Sequence, residues 1–89
     1  SIVCLSVNDA FVMGAWGKSQ NADELLMVAD GNADFTRAIG LDADSSAFGM
    51  GTRSKRYAMV VENGIVTHLT VEPPRTIESS SAEQILAVL

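Results

Sequence analysis

A small α/β fold is what this 89-residue sequence predicts: a parallel β-α-β unit, a second helix, then a β-hairpin and a closing helix. Three observations carry that reading. Ile2-Val-Cys-Leu-Ser-Val7 is apolar at nearly every position, as suits a strand buried on both faces, and runs straight into a helical pattern. Residues 25–29, Leu-Leu-Met-Val-Ala, are a second buried-strand pattern, spaced for a right-handed β-α-β crossover. Residues 56–62 and 65–72 are β-rich and separated by Asn63-Gly64, the strongest short-range signal for a tight hairpin.

The elements follow in order. Asn8 offers a side-chain oxygen as the cap of the first helix, and Asp9 places a negative charge in its first turn. Phe11, Val12, Ala15 and Trp16 fall at helical spacing and predict its inner stripe. The polar stretch 17–24 ends that helix and turns the chain. Asp30-Gly31-Asn32 is a turn cluster that starts a second, short helix with Phe35, Ala38 and Ile39 inward, and Gly40 is a left-handed stop. Residues 41–52, with two Gly, two Ser and two Asp before Thr52, read as a loop with at most one helical turn. A two-residue hairpin loop pairs Glu62 with Ile65, Met59 with His68 and Arg56 with Val71. Arg56, Ala58 and Val60 then share a face with Leu69 and Val71. Pro73-Pro74 stops the strand. Ser80-Ser81-Ala82-Glu83 reads as a capping box, with Ile85, Leu86 and Leu89 as the stripe of the last helix. The order β-α-β-α-β-β-α is the outline of the thioredoxin-like class, an analogy that assigns no function.

Composition removes several function classes. At 47% hydrophobic the chain is not disordered, and its length suits one small domain. No apolar run approaches the roughly 20 residues that cross a bilayer, and no signal peptide is expected. The net charge of −5, with basic residues clustered only at Arg53, Lys55 and Arg56, argues against nucleic acid as a partner. One cysteine excludes an internal disulfide and a multi-cysteine metal framework, which fits a cytoplasmic protein. No phosphate-binding glycine motif is present, and no cofactor is expected.

Few residues can carry chemistry. Cys4 sits mid-strand, away from the helix N-terminus or cation that would activate a thiol, so it reads as a small buried hydrophobe and not as a primary nucleophile. Arg56 reads either as a solvated strand end or as a guanidinium held beside apolar neighbours, able to bind an anion or stabilise a thiolate. Arg53 and Lys55 look like surface charges. His68 has no second histidine or carboxylate cluster for a metal. Asp42-Ala-Asp44-Ser-Ser lacks the glycine and terminal glutamate of a calcium loop.

Four stretches, in order along the chain, resemble the type II, or peroxiredoxin-5-like, peroxiredoxins. They are Cys4-Leu-Ser-Val-Asn-Asp-Ala-Phe-Val-Met-Gly-Ala-Trp16, Ala29-Asp-Gly-Asn-Ala-Asp-Phe-Thr36, Arg53-Ser-Lys-Arg-Tyr-Ala-Met-Val-Val61 and Asn63-Gly-Ile-Val66. The C-terminal twelve residues look most like the bacterial members. The resemblance implies the C-terminal part of one thioredoxin-like (redoxin) domain, 1–89, without the strand and helix that carry the peroxidatic Pro-x-x-x-Thr-x-x-Cys motif. It implies a thiol-dependent peroxidase for hydrogen peroxide and alkyl hydroperoxides, with the nucleophile on an upstream segment and these residues alone inactive. Arg56 matches the family arginine that contacts the peroxidatic thiolate and the peroxide, and its guanidinium is expected to be partly buried. Cys4 matches a position where plant relatives carry a second redox-active cysteine. Phe48 matches a family phenylalanine at the dimer contact.

Some animal relatives carry a resolving cysteine near residues 79–81, where this chain has serine. The implied reductants are then glutathione with glutaredoxin, or thioredoxin, with Cys4 as the other possible thiol. The implied assembly is a homodimer, and the N-terminal half of the same protein is the implied structural partner, without which the 89 residues are expected to unfold or aggregate. A non-catalytic thioredoxin-like remnant or binding module is the competing reading.

Overall fold

The structure is a computed structural model that describes residues 2–73 and 80–89. The chain divides into two compact units, Ser1–Ser54 and Lys55–Leu89. In the first unit the order is β1 (Val3–Ser6), α1 (Ala10–Ser19), β2 (Leu26–Ala29), α2 (Asp34–Ala38), β3 (Asp42–Asp44), a 3-10 turn (Ser46–Phe48) and β4 (Thr52–Ser54). The second contains β5 (Tyr57–Glu62), β6 (Ile65–Val71) and α3 (Ala82–Leu86). No helix among the described residues is long and apolar enough to cross a membrane.

β1 and β2 pair in parallel, Val3 opposite Leu26 through Ser6 opposite Ala29, with α1 as the connection. The expectation of a strand buried on both faces holds only at its end. Val7 is buried, Cys4 to Ser6 are half-buried, and Val3 is exposed. Apolar composition shows what a strand can bury, and a two-stranded sheet cannot supply neighbours on every side.

The cap of α1 is Asp9, one residue later than the sequence suggests. Its carboxylate accepts the Val12 N–H at 2.8 Å, while the Asn8 amide turns to Ser6 Oγ at 2.8 Å and Met13 Sδ at 3.9 Å. The buried face of α1 is Met13 and Gly17, and Phe11, Val12 and Trp16 are exposed. This helix is apolar on most sides, so periodicity could not choose its inner face. On the buried face Gly17 lies close against Met27. A Cβ on Gly17 would stand 3.1 Å from Met27 Cγ, tighter than an ordinary contact, so a larger residue would require the Met27 side chain to shift by a few tenths of an ångström.

In α2 the inward residue is Thr36, fully buried, whereas Phe35 and Ala38 are exposed and Ile39 is half-buried. The cause is Asp30. Its carboxylate accepts the N–H groups of Phe35 at 3.2 Å and Thr36 at 2.8 Å, and the Thr36 hydroxyl at 2.6 Å. These donors hold its carboxyl below the usual carboxylate value, the Thr36 hydroxyl contributing most. Ala33, the cap residue, is left-handed (φ 60°), so the carboxylate three residues earlier satisfies the helix start in its place. Gly40 (φ +74°) ends the helix as expected. Its N–H bonds the Arg37 carbonyl at 3.0 Å and the Leu41 N–H bonds the Thr36 carbonyl at 3.1 Å, a Schellman motif.

The expected loop at 41–52 does hold one short helical turn, the 3-10 turn, but its ends pair as a small antiparallel ladder, Asp42 opposite Ser54 and Asp44 opposite Thr52. These short polar strands have no alternating apolar pattern, and pairing overrides their weak β-propensity.

The hairpin turns at Asn63-Gly64, both residues at positive φ (52° and 77°), as a type I′ turn needs. Glu62 faces Ile65 as expected. One residue later the register changes: Val61 faces Val66 but Val60 faces His68, leaving Thr67 as a bulge whose hydroxyl donates to the Val60 carbonyl at 3.3 Å. Met59 therefore faces Leu69 and Tyr57 faces Val71. The expected Met59–His68 and Arg56–Val71 pairs do not form, and Ala58 and Val60 share their face with Thr70 and His68. A bulge answers the local twist of a strand and has no signature in alternation. The cap of α3 is Ser81, accepting the Gln84 N–H at 3.3 Å, one residue later than the expected Ser80, and Leu86 and Leu89 are exposed. β6 ends at Val71, before Pro73; Pro74 lies outside the described residues.

Candidate functional site

Arg56 stands immediately before β5, and its backbone is locked there: its carbonyl accepts the Glu72 N–H at 2.8 Å. The bulge at Thr67 thus sets Glu72, not Val71, across from Arg56. Glu72 is 4% exposed, and its Oε1 accepts the Ser80 N–H at 2.9 Å. Ser80 is 9% exposed, and its hydroxyl accepts Arg56 Nε–H at 3.0 Å. Arg56 as a whole is exposed, contrary to the expectation of partial burial. Its guanidinium is nonetheless anchored on one side. Of its five N–H donors, Ser80 engages the one on Nε, and the other four lie on the two terminal nitrogens, the geometry that grips an oxyanion in bidentate fashion.

From sequence, Ser80 has only the role of a helix cap and Glu72 has none. The signal for Glu72 was a carboxylate one residue beyond a strand whose partner strand is preceded by an arginine. Reading it needed the true register.

Cys4 lies in the first unit, in β1 opposite Met27. It is a free thiol and only half-buried, where the sequence reading makes it a buried hydrophobe. It lines an apolar cavity of about 140 Å³ together with Trp16, Gly17, Leu25 and Met27. Phe48 closes the 3-10 turn and is 66% exposed. Arg53 departs from its expected role as a surface charge. It is half-buried, and Nη2 donates to Asn8 Oδ1 at 3.2 Å, tying β4 to the entrance of α1. Asp44 accepts both the Ser46 N–H at 2.9 Å and the Ser46 hydroxyl, which holds its carboxyl below the usual value. That carboxylate is a turn-former. Among the described residues no group of three His, Cys, Asp or Glu could hold a metal ion.

The chain and its fold have known counterparts. The family profile described as Redoxin matches residues 1–86. The chain belongs to the redoxin family. Reduced Prx3 from Vibrio vulnificus, solved in complex with hydrogen peroxide, is 60% identical to this redoxin chain with a TM-score of 0.94, over 99% of this chain and 57% of that one. A peroxiredoxin of Synechocystis is 43% identical over 99% of this chain and 50% of its own length. Peroxiredoxin 5 from Alvinella pompejana is 42% identical with a TM-score of 0.76, covering 82% of this chain and 48% of its own. The fold is the thioredoxin-like fold of the peroxiredoxins. The redoxin chain spans about half the length of the curated relatives it matches.

Proposed function

We propose that these residues form the C-terminal part of a thiol-dependent peroxidase that reduces hydrogen peroxide and alkyl hydroperoxides, and that Arg56 is its active-site cation. The observation that carries this reading is the 60% identity, across nearly the whole chain, to a protein solved with hydrogen peroxide bound. In the reaction a thiolate on a segment outside these 89 residues attacks one peroxide oxygen. The O–O bond breaks, the sulfur becomes a sulfenic acid, and the leaving oxygen departs as water or an alcohol after taking a proton; a thiol then reduces the sulfenic acid. A guanidinium contributes twice. It favours the thiolate over the thiol, and its N–H donors stabilise the charge that develops on the peroxide oxygens.

The reductant is a thiol system, glutathione with glutaredoxin or thioredoxin, and the protein acts as a homodimer with the exposed Phe48 at the contact. The test is peroxide reduction by the complete protein carrying Arg56→Ala. A loss of at least tenfold, about 1.4 kcal/mol of barrier, is expected with little change in unfolding temperature. A rate within twofold of the parent refutes the role.

A further inference from the structure

We propose that Ser80 and Glu72 are positioning residues for Arg56, a relay that runs from a buried carboxylate through a serine to the guanidinium. The proposal rests on the peroxidase reading above and assigns the residues that make its cation a fixed one. An exposed arginine has many rotamers, and donors aimed at a developing charge act only if they are already in place.

Three contacts close a loop around Arg56. The Glu72 N–H holds the Arg56 carbonyl at 2.8 Å, Glu72 Oε1 holds the Ser80 N–H at 2.9 Å, and the Ser80 hydroxyl holds Arg56 Nε–H at 3.0 Å. One carboxylate residue thus positions the backbone of Arg56 directly and its side chain at one remove. Burial gives the relay its stiffness. Arg56 is exposed, but Ser80 and Glu72 are 9% and 4% exposed, so the anchor lies in the fold while the charged end lies at the surface. Ser80 is also not spent on the helix beside it, because Ser81 caps α3. Its hydroxyl serves the arginine. Holding Nε orients the planar fork without occupying the two terminal nitrogens, which are the groups that meet an anion.

The experiment uses the complete protein and two readouts. The first is the second-order rate constant for hydrogen peroxide in Ser80→Ala, Ser80→Thr and Arg56→Ala. The second is the exchange of the Arg56 Nε–H with water, followed by ¹⁵N NMR. Ser80→Ala should lower the rate constant about tenfold and speed Nε–H exchange by a similar factor, with the unfolding temperature lowered by no more than a few degrees and the protein fully folded at the assay temperature. Threonine, which keeps the hydroxyl, should restore both to within threefold, and Glu72→Ala should speed the exchange as Ser80→Ala does.

If Arg56→Ala is slow while Ser80→Ala stays within twofold of the parent, the relay is wrong and the peroxidase reading stands. An Arg56→Ala rate within twofold removes the role of Arg56 and the relay with it, whereas a parent protein that does not reduce hydrogen peroxide removes the peroxidase reading itself. Should the alanine variants not fold, the parent decides: an Arg56 Nε–H exchanging as fast as in a free arginine overturns the relay.

Discussion

Replacing Asp9 by alanine in the complete protein should cost about 1 kcal/mol, and replacing Asn8 should cost roughly twice that, although the sequence makes Asn8 look like the cap. Asp9 makes one exposed capping bond, to the Val12 N–H at 2.8 Å, so its loss is an ordinary cap loss. Asparagine at position 9 keeps the acceptor and should cost only a few tenths of a kcal/mol, roughly the dipole contribution. Asn8 holds more. It donates to Ser6 Oγ at 2.8 Å and accepts from the Arg53 guanidinium at 3.2 Å, both partly buried. At about 1 kcal/mol for each bond, with the second long but charge-assisted, the sum is about 2 kcal/mol. A double-mutant cycle of Asn8→Ala with Arg53→Ala should return a coupling of about 1 kcal/mol, because each single change breaks the same contact. Urea denaturation of the variants measures all of these. An Asn8→Ala loss smaller than that of Asp9→Ala, or a coupling near zero, refutes the assignment of caps and contacts.

Acid should act on α2 through Asp30. Its folded pKa lies below the ordinary value of 3.8, so its contribution is present above that value and is lost as pH falls through the folded pKa. The stability gap between parent and Asp30→Asn should therefore be level above about pH 5 and close at lower pH; a gap that widens on acidification contradicts the sign. Gly40→Ala should destabilise by about 1–2 kcal/mol, since alanine must take a left-handed φ of 74° with nothing else crowding its Cβ. A neutral result in thermal unfolding would show that the turn relaxes. The hairpin register is open to NMR: backbone cross-peaks should connect Met59 with Leu69 and Tyr57 with Val71, and cross-peaks joining Met59 to His68 would remove the bulge.

Much of this molecule was legible without coordinates because the signals were local. The two apolar runs of β1 and β2, the Asn63-Gly64 turn and the Gly40 stop each depend on a few adjacent residues whose conformational preferences hold in any surroundings. The family resemblance was legible for the same reason, since motifs are contiguous. What only the tertiary structure decided were choices between near-equal local options. Asn8 and Asp9 can both cap a helix, and the Arg53 guanidinium drew Asn8 away. With α1 apolar on most sides several faces could be buried, and in the fold it is Met13 and Gly17 that turn inward, Gly17 lying against Met27. Alternation in the hairpin was compatible with two registers, and the bulge at Thr67 selected the one that sets Glu72 across from Arg56. The Arg56–Ser80–Glu72 relay follows from that register. It joins residues 24 apart through contacts that no single stretch of chain encodes, because hydrogen bonds between distant residues form only where the backbone has already brought them together.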